Sequence, residues 1–156
     1  IHDVIKRNLT MIDPNLHFHP RKVEKEPYLV ALQKQYPMFG DIYNIYRTPP
    51  GYTTPPHVDS SRECALNIPY FNTENSFTVF YDYISYEDNP TLNSSKVYIK
   101  LTNDNVREVF RFTLIEPTII NTKIPHGVVQ TDNNWRVIFS WGCKIKYEKI
   151  KEMLNS

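Results

Sequence analysis

Cysteine and glycine are both scarce in this chain, with 2 Cys and 4 Gly among 156 residues. Two thiols are too few for a disulfide-stapled scaffold, and the spacing of Cys64 and Cys143 fits no zinc motif. Both are read as reduced thiols of a cytosolic (cytoplasmic) protein. No apolar run approaches the ~20 residues a membrane-crossing helix needs, so no membrane role is expected. The opening Ile1-His2-Asp3-Val4 lacks the pattern of a signal peptide. Without an initiator Met, the chain is open to being processed, trimmed or part of something longer. An excess of one charge is also missing. The formal net charge of +1 gives no basic footprint, so nucleic acid is not indicated as a partner. Internal repeats and low-complexity tracts are absent, and nothing fixes an oligomeric state.

What the chain does have is aromatic residues and proline. Its 11 Tyr, 8 Phe and 2 Trp favour strands. Its 12 Pro against so few glycines predict stiff connections. The length suits a single domain, 1–156, with one core over about 42–142. Residues 1–20 alternate loosely and suggest a strand or two. Residues 21–36 carry Val23, Leu29, Leu32 and Tyr36 near helical spacing, with Pro27 as the expected first helical position. Strand-like runs follow at 42–47, 64–70, 76–83, 96–101, 109–116, 118–121, 126–130 and 135–142, separated by polar turns. In the run 109–116, Phe110, Phe112 and Leu114 fall on one side. Residues 144–154 space Tyr147, Ile150, Met153 and Leu154 as a short helix packed outside. Many short strands with polar turns predict a mainly β sandwich or barrel.

Three residues carry metal-binding chemistry. His57 and Asp59 are two apart, so an extended segment presents both to one side. Pro49-Pro50-Gly51 and Pro55-Pro56 precede them. Prolines this dense forbid a helix or a central strand and predict a rigid loop that delivers His57 to a fixed place. His126 follows 69 residues after His57, between Pro125 and Gly127, again where a loop meets a strand. In a jelly roll, residues so separated can meet across the sheets. Two imidazoles and one carboxylate form the protein ligand set of a mononuclear non-haem iron site with open positions. Taken singly, each has a plain alternative: a surface histidine beside a turn aspartate, or a satisfied, partly buried histidine. Arg136 lies 10 residues beyond His126, in a mostly apolar strand-forming run. It either faces outward or pairs with an anion, because a buried unpaired charge is costly. Its planar fork suits a carboxylate.

The order His57-Val58-Asp59, then His126, then Arg136 resembles the 2-oxoglutarate and Fe(II)-dependent oxygenase superfamily. The stretch from Pro55 to Pro69 also resembles small members from phages and marine microbes, and the likeness spans about 42–142. It implies a double-stranded β-helix (a jelly-roll or cupin-like fold). His57, Asp59 and His126 would be the catalytic Fe(II) ligands, with 2-oxoglutarate chelating the metal and Arg136 gripping its distal carboxylate. O2 would be the oxidant. The implied activity is a dioxygenase that hydroxylates a C–H bond of a protein or peptide side chain, or of a small metabolite, and releases succinate and CO2. By placement, Tyr46 is similar to tyrosines that hydrogen-bond 2-oxoglutarate in prolyl-hydroxylase-like members; the alternative is a core aromatic.

Other positions are open from the residues alone. Asn67, polar in an apolar strand, needs a partner, either 2-oxoglutarate or a neighbouring strand. Ser140 shares a strand face with Arg136 and is expected to help hold the same carboxylate. Trp141, one residue out of phase, is expected to pack on the opposite face. Arg62 meets substrate or a carboxylate beside the metal, or is a solvent-exposed loop residue, and the exposed reading leads. His17-Phe18-His19 has same-side spacing but no acidic partner, and is read as strand or loop. The clusters Tyr81-Asp82-Tyr83 and Tyr86-Glu87-Asp88 line a groove or end a strand. Competing functions are a non-catalytic jelly-roll binding or structural module, and a cupin-like metalloenzyme that uses no 2-oxoglutarate.

Overall fold

In the computed structural model, residues 21–22, 27–83 and 106–155 are described. The expected strands in 1–20 and at 96–101, the His17-Phe18-His19 segment and the Tyr86 cluster lie outside them. The order is β1 (Arg21–Lys22), α1 (Pro27–Gln35), β2 (Phe39–Thr48), β3 (Cys64–Phe71), β4 (Ser76–Tyr83), β5 (Val106–Phe112), β6 (Thr118–Asn121), β7 (His126–Gln130), β8 (Arg136–Cys143) and α2 (Tyr147–Leu154). The strands form two antiparallel sheets, β1-β2-β8-β3-β6 and β5-β4-β7. The chain is thus mainly β, in the sandwich or jelly-roll-like class. Among the described residues, no helix is long and apolar enough to cross a membrane.

The strand pairing is nested. β2 pairs with β8, β3 with β6, and β4 with β5. Between the first two levels, residues 53–57 run beside β7 through bridges Thr53–Val129 and His57–His126. Pro55 and Pro56 have no N–H to donate, so this strap touches the sheet at its two ends without forming a continuous ladder. The strap is entered by a tight turn. Tyr52 N–H donates to Pro49 O at 3.2 Å, and Gly51 takes φ 63° at the third position, where glycine meets no steric penalty.

β8 is buried along its whole length, and its two faces do different jobs. Val137, Phe139, Trp141 and Cys143 join Tyr43 and Ile45 of β2 and Cys64 of β3 in the apolar core. Leu29 of α1 and Ile150 of α2 cap this core. Trp141 stacks on Phe39 at 4.6 Å, and its Nε1–H donates to Gly40 O at 2.7 Å. Phe139 has no exposed surface, and burying such a side chain stabilises the fold by about 1.5–3 kcal/mol. The opposite face of β8, with Arg136, Ile138 and Ser140, looks into the space between the sheets. The hydrophobic core therefore lies between the large sheet and the helices, and the inter-sheet space is left for polar groups.

The structure corrects several sequence expectations. The first helix begins at Pro27, as expected, but Arg21–Lys22 is a strand against β2 rather than its first turn. The run expected at 109–116 is a strand from Val106 to Phe112. Phe110 and Phe112 do share a face, through pairing with Phe80 and Thr78, while Leu114 is buried beyond the strand end. In the tail helix only Ile150 is fully buried. Met153 and Leu154 are exposed, so the apolar stripe ends a turn early.

Candidate metal centre

His57 closes the proline strap and His126 opens β7. The two backbones exchange reciprocal N–H to C=O hydrogen bonds, each 2.9 Å. This bridge sets their rings side by side, with centroids 4.5 Å apart. Asp59 follows on the same strand-like path. Its N–H donates to Thr122 O at 3.0 Å, and Lys123 Nζ donates to its carbonyl at 3.0 Å. The loop into β3 is fastened further by Thr122 Oγ1 donating to Arg62 O at 2.9 Å. Ligand atoms of His57, Asp59 and His126 all lie within 4.8 Å of one another. A point within about 2.8 Å of all three therefore exists, a fraction of an ångström outside ~2.0–2.2 Å metal bonds.

The ring tautomers follow from the neighbours. His57 Nδ1 is 2.9 Å from Pro55 O, and His126 Nδ1 is 2.9 Å from Ile124 O. A carbonyl oxygen accepts, so each Nδ1 carries the hydrogen and each Nε2 keeps its lone pair. Metal-binding histidines are oriented in this way. His57 Nε2 stands 3.9 Å from Asp59 Oδ1. Burial first, and the adjacent His57 ring second, push the His126 pKa down to about 4, so its imidazole is neutral at pH 7 and ready to ligate.

That depression predicts acid lability. An unfolded histidine titrates near 6.5, so below that pH the unfolded chain takes up a proton that folded His126 refuses. The contribution to stability is complete above about 6.5 and is lost progressively as pH falls toward 4. Urea unfolding of metal-free protein across this range should show the loss. His126→Gln should flatten the part of the slope above pH 5, and an unchanged slope in that variant would contradict the assignment.

Next to Asp59, His57 and His126 line a cavity of about 60 Å³ between the sheets. At ~10–15 Å³ per water, it has room for roughly four to six waters or a small polar molecule. Every other residue proposed from the sequence for co-substrate binding (Tyr46, Asn67, Arg136 and Ser140) lines it. Arg136 is 1% exposed, and its Nε donates to Ser76 Oγ at 2.8 Å. Among the described residues no carboxylate pairs with it, and burial alone pushes its pKa down to about 10. Three further buried polar atoms in the wall have no partner among the described residues: Thr48 Oγ1, Thr54 Oγ1 and Asn67 Oδ1. Buried polar groups are normally satisfied, so the two hydroxyls and the Arg136 guanidinium fit a ligand rich in oxygen atoms and negative charge, whereas Asn67 Oδ1 can only accept.

Arg62 departs from the leading expectation. Its side chain is 10% exposed, not solvated. Nε donates to Asp59 Oδ2, Nη1 to Ser140 Oγ at 2.8 Å, and Nη2 to Tyr46 OH at 3.2 Å. Ser140 does share the cavity with Arg136, but its hydroxyl serves Arg62 instead. The hydroxyl beside Arg136 belongs to Ser76, which the sequence reading missed. Its only signal was a polar residue starting a strand in phase with Thr78. Tyr46 lines the cavity and is not a core aromatic; burial raises its pKa. Trp141 takes the opposite face, as its odd spacing from Arg136 requires. No protein-family model matches the chain, and no curated protein matches it.

Proposed function

We propose that this chain is a 2-oxoglutarate- and Fe(II)-dependent dioxygenase on a double-stranded β-helix. The observation that carries the reading is one cavity lined by His57 and His126, with the Asp59 carboxylate beside them, and a buried arginine in its wall that has no counter-ion among the described residues. The nested pairing of β2 with β8, the strap with β7, β3 with β6, and β4 with β5 supports the fold. When bound, Fe(II) with 2-oxoglutarate and O2 supplies the oxidising power to hydroxylate a C–H bond, releasing succinate and CO2.

The chain's own residues position and select. His57 and His126 offer their Nε2 atoms, and Asp59 offers Oδ1, which leaves part of the metal's coordination open. Arg136 holds the distal carboxylate of the dicarboxylate, and Ser76 aims the guanidinium by accepting from its Nε. Thr48 and Thr54 donate their hydroxyl hydrogens to ligand oxygens and so exchange unsatisfied atoms for paired ones, while Asn67 offers its amide N–H. The substrate is a protein or peptide side chain, or a small metabolite, presented at the metal end.

A structural or binding module has no use for the cost of an uncompensated buried cation. A cupin-like metalloenzyme without 2-oxoglutarate would use the donors but not Arg136. Anaerobic Fe(II) with 2-oxoglutarate should give a weak metal-to-ligand absorption band in the visible, which Arg136→Ala should lose at a dose that saturates wild type. In air, wild type should form succinate slowly even without substrate. Metal binding with no such band would overturn this proposal in favour of the cupin-like reading, and no metal binding would favour the module.

A further inference from the structure

Resting on the metal-site part of that reading, and not on 2-oxoglutarate, we infer that Arg62 is a positioning residue that holds Asp59 to one-oxygen ligation. The carboxylate is divided between two tasks. Oδ1 faces His57 Nε2 at 3.9 Å, while Oδ2 accepts from Arg62 Nε. A carboxylate ligand can bind an ion through one oxygen or both. Binding through both would use a coordination position that an open site needs. An Oδ2 already held by a buried guanidinium is turned away from the ion, and the charged bond makes that orientation strong.

The guanidinium is itself fixed from two further sides. Ser140 on β8 and Tyr46 on β2 accept from its two terminal nitrogens. Arg62 therefore ties the loop that bears Asp59 to the two strands that form the cavity wall. Burial opposes its charge, but Tyr46 and Asp59 outweigh that effect and its pKa is raised, so it stays cationic. A lysine at this position would keep the charge but lose the planar, three-way fork. The expected consequence is a metal site with weaker affinity and fewer exchangeable positions when the fork is lost.

The test uses the full chain and Mn(II) alone, without 2-oxoglutarate. Affinity is measured by titration, and bound water by its enhancement of solvent proton relaxation. Arg62→Met should bind Mn(II) about 10- to 100-fold more weakly. At saturation, its relaxation enhancement should fall by about a third, as the second oxygen of Asp59 takes one of the three positions left by a facial ligand set. A residue that only supports the fold would weaken binding without changing bound water. Thermal unfolding checks the fold; should Arg62→Met not fold, Arg62→Lys carries the same comparison. Wild-type bound-water enhancement at saturation in a folded variant would overturn the inference. Failure of wild type itself to bind Mn(II) would overturn the metal site as well, whereas Mn(II) binding without 2-oxoglutarate binding would sink only the proposed activity.

Discussion

Arg136→Met should make the ligand-free protein more stable while nearly abolishing its affinity for 2-oxoglutarate. Arg136 is 1% exposed, and among the described residues its one side-chain hydrogen bond is to Ser76. The fold bears the desolvation of that cation with no carboxylate among the described residues to offset it. Methionine has similar length and fills irregular space. Ser76 keeps a partner after the change, because its Oγ donates to Thr73 O at 2.9 Å. Replacing buried ionic groups with apolar ones stabilises by about 1–4 kcal/mol in favourable cases. At ~2–4 °C per kcal/mol, the midpoint of thermal unfolding should rise by several degrees. Losing a buried charge from a charge–carboxylate contact costs about 2–5 kcal/mol of binding, or roughly 30- to 5,000-fold in Kd. Calorimetry for stability and titration for affinity check the two halves. A variant that melts lower and binds 2-oxoglutarate normally would mean that Arg136 is structural.

Gly127→Ala should damage the metal site and the fold together. A Cβ at Gly127 would lie 2.6 Å from Thr54 O, a backbone atom of the strap, and 3.6 Å from Pro55 O. No rotamer relieves a backbone clash, so the strap must move away from β7. Overpacking of this kind costs about 1–3 kcal/mol. The displaced strap carries His57, and Gly127 adjoins His126, so the reciprocal 2.9 Å bonds between them stretch. Co(II) affinity should fall about 10-fold or more, as when a metal ligand loses its orienting contacts. Gly51→Ala makes the contrast. Its φ of 63° disfavours alanine, but nothing lies within 4 Å of the added carbon. It should cost about 1–2 kcal/mol of stability and leave metal affinity unchanged. Equal Co(II) affinities in the two variants would contradict this reading of Gly127.

The convergence of His57, Asp59 and His126 was legible because it needs only local rules and one long-range meeting. Same-side spacing aligns His57 with Asp59, prolines stiffen the approach, and a strand junction fixes His126. Most strands were legible from β-formers between polar turns, and Pro27 marked a helix start by its missing N–H. Alternation gave less at β8, where both faces are buried and no polar side appears. It misplaced β5, since exposed Val109 and Phe110 share a run with buried Leu114. The direction of Arg62 was not legible. A loop arginine turns inward only when acceptors from distant strands meet it, and Ser140 lies 78 residues away. Ser76 was hidden for the same reason, because its contact with Arg136 joins opposite sheets.

The nested strand order has a consequence for biosynthesis. β8 stands between β2 and β3 in the large sheet, so those two have no common neighbour until the last strand is made. A nascent chain halted before residue 136 already contains His57, Asp59 and His126, yet it lacks both the strand that closes the cavity wall and the cation within it. Completion of the cavity is therefore a late event that follows release of β8 from the ribosome. Contacts spanning this much sequence form slowly, and over that interval the incomplete chain holds no closed pocket in which a ligand could be enclosed.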